Sequence, residues 1–175
     1  MPFALPIGSK NMESVLFNPA QWNTEAVDTQ HQAERCGKAL DKLLKSSLLC
    51  CSEERIRLNY LVNSADFSFM RLMDVCSLFN FAISQAAETV EVLEDPEKRL
   101  VDIVSERKGD LINLHICNYF SGDVSFQNGF PQIGSSERKT LAMKGMKQIA
   151  QKYGGGMNAS TEGDVFVLDI YLVRS

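Results

Sequence analysis

Hydrophobic positions along the chain follow two periods, and the switches between them divide the sequence into elements. From Ala33 onward, small and apolar residues recur at three- and four-residue steps: Ala33, Cys36, Leu40, Leu43, Leu44, Ser47, Leu48 and Cys51. Lys38, Asp41, Lys42 and Lys45 fall on the opposite side. The spacing predicts an amphipathic helix with one face for a core or a partner helix. Residues 55–62 then alternate loosely and are rich in strand formers. After a short polar loop, Val75, Leu78, Phe79, Ala82, Ile83, Ala86, Val90 and Leu93 predict a second helix. Asp74 is its expected N-cap, and it should stop before Pro96, because the residue before proline resists helical geometry.

Two strands are expected next, over residues 100–104 and 111–117, with Lys108-Gly109-Asp110 as a hairpin turn. The second puts Ile112, Leu114 and Ile116 on one face and Asn113, His115 and Cys117 on the other. Residues 118–138 are rich in Gly, Ser and Asn and read as a long structureless loop of the functional or mobile kind. A third helix is expected from about Ser136 to Tyr153, with Leu141, Met146, Ile149, Ala150 and Tyr153 on one stripe and Gly154-Gly155-Gly156 ending it. Two closing strands follow. Phe166, Leu168, Ile170 and Leu172 form an apolar face, and Asp169 and Tyr171 lie opposite. Residues 1–24, with Pro2, Pro6, Gly8 and Pro19, read as irregular, leaving 25–175 as the folded domain. This order predicts an α+β two-layer sandwich: a mixed, mostly antiparallel sheet with helices on one face.

Composition narrows the function classes. The 175 residues carry a net charge of -4, which argues against a nucleic-acid binder needing a basic surface. No stretch approaches the roughly 18 apolar residues of a membrane span, so no direct membrane insertion is expected. The five cysteines are odd in number and include adjacent Cys50-Cys51, so they read as reduced thiols of a cytoplasmic chain. The two histidines show no signature of zinc or Cys–His chemistry. His31 reads as a surface residue and His115 as a half-buried strand residue.

Three stretches carry a resemblance. Leu40-Asp41-Lys42-Leu43-Leu44, Asp74-Val75-Cys76-Ser77-Leu78-Phe79 and Gln148-Ile149-Ala150-Gln151-Lys152-Tyr153-Gly154-Gly155 resemble the ATP-binding domain of peptide-sensing sensor histidine kinases. These belong to the GHKL superfamily, with gyrase and MutL. Gly163-Asp164-Val165-Phe166-Val167-Leu168-Asp169-Ile170 resembles that domain's closing hairpin, so the likeness runs over residues 37–173. It implies the histidine-kinase ATPase fold, and ATP and Mg²⁺ as cofactors.

The family's site residues fall on identifiable positions here. Two asparagines four apart on the second helix correspond to Phe81 and Gln85, and a usual acidic residue to Ser84. Gln85 takes the metal position, where Mg²⁺ demands tight octahedral oxygen geometry. Asn118 stands where an amide meets the adenine amino group. The glycine-rich turn that cradles phosphate corresponds to Lys139-Thr140-Leu141-Ala142-Met143-Lys144-Gly145, with Thr140 and Ala142 in place of its glycines. Lys139 and Lys144 are the phosphate-attracting candidates. An acceptor histidine followed by an acidic residue is missing, since His31 is followed by Gln32. The expected function is therefore a degenerate ATP-binding domain acting as a signalling or binding module with weak or no ATP binding, inactive as an enzyme alone. Two alternatives stand beside it. One is the working catalytic domain of a two-component kinase, the cytosolic part of a membrane receptor. The other is a docking domain that forms homodimers through the helix over 33–51.

Overall fold

A computed structural model describes residues 19–127, 130–133 and 137–175, with side chains described over 29–126 and 137–175. The first helix, α1, spans Pro19–Glu53. It begins well before Ala33, so the last residues of the segment expected to be irregular are helical, while residues 1–18 lie outside the described part. Polar residues dominate those added turns, and a helix with little apolar face leaves no periodic trace. Cys36, Leu40, Leu44 and Cys51 are buried against the domain's own core, so the stripe expected to serve a core or a partner is used inward. Of the large apolar side chains described on α1, Leu48 and Leu49 are exposed at this end.

Strand β1 (Arg57–Leu61) leads through a 3-10 turn, Ser64–Phe67, into α2 (Leu72–Glu91). All eight residues of the expected α2 stripe are buried. Arg71, not Asp74, caps the helix, with no side-chain cap bond. Asp74 lies in the first turn and is engaged elsewhere, as described below. β2 (Leu100–Lys108) and β3 (Leu111–Tyr119) form the expected hairpin, both longer than the alternation indicated. Gly109 takes the left-handed conformation at its turn, φ 63°.

The connection read as structureless contains a second, two-stranded sheet: β4 (Val124–Gln127) against β5 (Phe130–Ile133). Four-residue strands are too short for a period-two reading, and proline is tolerated at position 131 because a strand with a free edge needs no N–H there. Helix α3 (Glu137–Lys152) follows. Its buried residues are Ala142, Met143, Met146 and Ala150, whereas Leu141, expected on the inner stripe, is 71% exposed. β6 (Gly156–Glu162) and β7 (Val165–Val173) close the domain.

The main sheet has the order β1-β2-β3-β7-β6, parallel only between β1 and β2. Its inner face, Ile112, Leu114, Ile116, Phe166, Leu168, Ile170 and Leu172, is fully covered by the helices. The α+β two-layer arrangement expected from the sequence is the one observed.

The two ends of the α2/α3 pair are fixed separately. At one end, Lys152 Nζ (2.5 Å) and Tyr153 Oη (2.6 Å) donate to Asp74 Oδ2, and Tyr153 Oη accepts from the Arg71 N–H at 2.9 Å. At the other, Arg138 lies 3.5 Å from Glu88. The helices therefore run antiparallel. α3 stops at Gly154, φ 66°, with the Gly155 N–H bonded to Ala150 O at 2.9 Å. Gly155 sits so close to β7 that a Cβ there would lie 1.7 Å from Tyr171 O, so no other residue fits. Val173 N–H then donates to Tyr153 O at 2.9 Å, joining the helix end to the sheet.

Candidate nucleotide site

The face where α2 meets the start of α3 gathers most of the residues singled out from the sequence. Phe81, Ser84 and Gln85 of α2 and Lys139 and Ala142 of α3 line one cavity of about 240 Å³, with Asn80, Glu88, Arg138 and Leu141. Helical geometry explains the grouping on α2: residues 81, 84 and 85 are three and four apart and share a face. Lys144 lies on another side of α3. It lines a separate space of about 470 Å³ with Met73, Asp74, Ser77 and Gly145, and only Phe81 and Leu141 border both. Asn118, near the end of β3, borders neither space. Thr140 is half-buried in the first turn of α3.

Phe81 dominates this face. Its ring lies against Gly145 of α3, where an added Cβ would come within 2.7 Å of Phe81 Cε2. The ring also packs on the main core. It thus acts as a bridge between the helices at the place where the resemblance puts an amide. Gln85 is 4% exposed, and its Oε1 has no hydrogen-bond partner among the described residues. Asn118 is equally enclosed: its Nδ2 donates to Tyr119 O at 2.8 Å, while its Oδ1 is unpartnered. A buried carbonyl oxygen without a donor costs about 1–3 kcal/mol, and among the described residues Gln85 Oε1, Asn118 Oδ1 and Asn113 Oδ1 are in that position. Thr89 shows the contrasting, satisfied case, its hydroxyl donating to Gln85 O at 2.7 Å.

Charge at the cavity is mixed. Burial lowers the Lys139 ammonium from its usual value, and Glu88 only partly offsets this. Glu88 is also the ion-pair partner of Arg138, so the cations nearest the cavity share one carboxylate.

These observations test the fit of Mg²⁺–ATP. At the position that the resemblance gives to adenine, Asn118 Oδ1 is an acceptor without a partner among the described residues. The positions that it gives to metal and phosphate carry other groups. An aromatic ring stands at one amide position, the other carries the longer arm of Gln85, and the Ala142 methyl is buried where a glycine-rich turn would bring backbone N–H groups to phosphate.

Residues 70–173 match the profile of the GHKL domain, and the chain belongs to that family. No curated protein matches the sequence. Among solved structures, the nucleotide-free catalytic domain of histidine kinase ThkA superposes with a TM-score of 0.55 at 12% identity, covering 77% of this chain and 93% of that one. A second crystal form of the same domain gives 0.55 at 13% identity, covering 77% and 94%. Full-length ShkA, solved in complex with AMPPNP, gives 0.52 at 8% identity over 79% of this chain and 30% of its own. At these identities the likeness establishes the fold of a histidine-kinase ATPase domain. Among the described residues, no helix is long and apolar enough to cross a membrane.

One group escaped sequence reading. His115, Cys117 and Asp169 sit together on the open face of the sheet, away from the nucleotide positions. Alternation put His115 and Cys117 on one face, but only the β3–β7 register, His115 opposite Asp169, brings in the third member.

Proposed function

We propose that this domain is a degenerate member of its family: a signalling or binding module in the cytoplasm that holds nucleotide weakly or not at all and does not act alone as a kinase. The observation that carries this is the Phe81 ring seated on Gly145, which fills the space between α2 and α3 at the metal-side position. Gln85 in the second amide position and Thr140 and Ala142 in the turn support the same reading.

A second reading, a nucleotide-binding catalytic domain of a two-component kinase, is favoured by the buried, unpartnered Oδ1 of Asn118. An adenine amino group would satisfy it. Calorimetric titration of the full chain with ATP, with and without Mg²⁺, separates the two. The proposal expects a Kd weaker than about 1 mM, equivalent to less than about 4 kcal/mol of binding. A low-micromolar Kd that depends on Mg²⁺ would establish the second reading instead.

A further inference from the structure

On the sheet face opposite the helices, three side chains form a relay across two strands. His115 Nδ1 lies 2.7 Å from Asp169 Oδ1, and Cys117 Sγ lies 2.9 Å from His115 Nε2. Asp169 is a carboxylate that only accepts, so it places the imidazole proton on Nδ1 and leaves the Nε2 lone pair facing the thiol. The imidazole is 41% exposed and Asp169 19%, so the site opens to solvent while its orienting group is held down. Asn113 Nδ2, 3.5 Å from the same Asp169 oxygen, flanks it on β3. A nucleophile, a base at hydrogen-bond distance and a group orienting that base are what thiol activation requires. Among the described residues, no group of three or more His, Cys, Asp or Glu is arranged to hold a metal ion.

We propose that Cys117 is a site of reversible S-thiolation, with His115 as its general base and Asp169 as the positioning residue. The incoming reagent is a small disulfide, R–S–S–R. Cys117 Sγ gives up its proton to His115 Nε2 and attacks one sulfur of the reagent. The reagent's S–S bond breaks, and its electron pair leaves on R–S⁻. That thiolate takes the proton from His115 as R–SH, leaving Cys117–S–S–R. The reagent is reduced and the cysteine oxidised, so the exchange balances without another oxidant.

The surroundings also set the preferred charge of R. Asp102 on β2, Asp169 on β7 and Glu162 on β6 all act on the thiol, and burial together with these carboxylates holds it above its ordinary pKa. The resting group is thus a thiol bonded to imidazole. A raised pKa lowers the thiolate fraction by more than it strengthens the thiolate as a nucleophile, so the rate depends on proton transfer to His115 Nε2. Three carboxylates around one thiol repel anionic disulfides and attract cationic ones. Cystamine should therefore outpace the neutral hydroxyethyl disulfide, and that should outpace glutathione disulfide. Cys50 is the internal reference: it is exposed on α1 and forms no such relay.

The test is time-resolved peptide mass mapping of the full chain treated with each disulfide near neutral pH. Cys117 should be modified by cystamine faster than Cys50, and His115→Gln should lower the Cys117 rate by about 10²-fold without changing that of Cys50. Asp169→Asn provides the readout that a bystander role would not give. By charge alone, losing a carboxylate would speed thiolate formation, so a slower Cys117 in this variant supports positioning of His115. Each variant is first shown to be folded by circular dichroism, and Asp169→Asn stands alone if His115→Gln does not fold. Cys50 reacting as fast as Cys117, a Cys117 rate indifferent to both substitutions, or a preference for glutathione disulfide over cystamine would overturn the proposal.

Discussion

Gly145→Ala measures how firmly Phe81 occupies the cleft between α2 and α3. In a helix interior, alanine is favoured over glycine by about 1 kcal/mol. Against that, the new Cβ would meet Phe81 Cε2, Cδ2 and Cζ at 2.7, 3.2 and 3.4 Å. Carbon atoms settle at about 3.5–4.0 Å, so the ring must retreat by about 1 Å. It borders two open spaces, of about 240 and 470 Å³, and can move into them only by giving up contact with the core. Overpacking of this kind costs about 1–3 kcal/mol. The two effects together leave Gly145→Ala between neutral and about 2 kcal/mol destabilising. In a Phe81→Ala background the clash is gone, and the same change should stabilise by about 1 kcal/mol. The coupling in the double-mutant cycle is then about 1–3 kcal/mol. Urea unfolding followed by circular dichroism gives each corner, provided the m-value is constant. Phe81→Leu replaces Phe81→Ala if the latter does not fold. Equal stabilisation in both backgrounds, additive within about 0.5 kcal/mol, would refute the claim that ring and glycine are interlocked.

Four further outcomes are expected. The combined Phe81→Asn, Gln85→Asn, Thr140→Gly and Ala142→Gly variant, once shown to be folded, should bind ATP measurably in calorimetry; indifference to millimolar ATP would mean that the cleft has closed beyond these positions. Burial raises the Asp74 carboxyl, but the hydrogen bonds from Lys152 and Tyr153 outweigh it and hold it below the usual carboxylate range. Its folded pKa is depressed, so its contribution is present above the unfolded value near about 3.9 and is lost as pH falls through the folded value. Asp74→Asn should destabilise by about 1–3 kcal/mol at neutral pH and flatten the acid limb of stability against pH, read by urea midpoints. Arg55 holds a left-handed conformation, φ 60°, just after α1, so Arg55→Gly should raise stability by about 0.5–1 kcal/mol in thermal unfolding. Gly155→Ala should prevent folding, visible as lost ellipticity, because backbone rather than a movable side chain stands in its way.

The parts of the fold legible in the sequence are those with one wet and one dry face. The α2 stripe and the alternation of β3 and β7 name the core almost residue by residue, because burial on one side forces the period. The polar start of α1 and the β4–β5 pair were not legible: the first has no apolar period in its sequence and the second is too short to repeat. Leu141 misled for a related reason. At the helix start its stripe runs off the core, and Met143 takes the buried position. At the site, Phe81, Ser84 and Gln85 share one face of α2, as their spacing implies, because one helix face fixes which residues are neighbours. Lys144 separated from them, since it lies two residues past Ala142 and so points elsewhere. Asp74 was assigned to a cap because residue type suits one, whereas its partners, Lys152 and Tyr153, are 78 and 79 residues away. The Cys117 relay depends on strand register in the same way.

The contact between Phe81 and Gly145 imposes an order on sequence change. While the aromatic ring is in place, position 145 accepts little beyond glycine, although an exposed or loosely packed helix would gain from almost any replacement. Once position 81 shrinks, that restriction lifts and position 145 is free to drift. If it then acquires a side chain, the ring cannot return without displacing it. The cleft therefore behaves as a gate between two lineages of sequence, one keeping a large residue at 81 with glycine at 145, the other a small residue at 81 with an unrestricted partner. Passage from the first to the second begins at position 81.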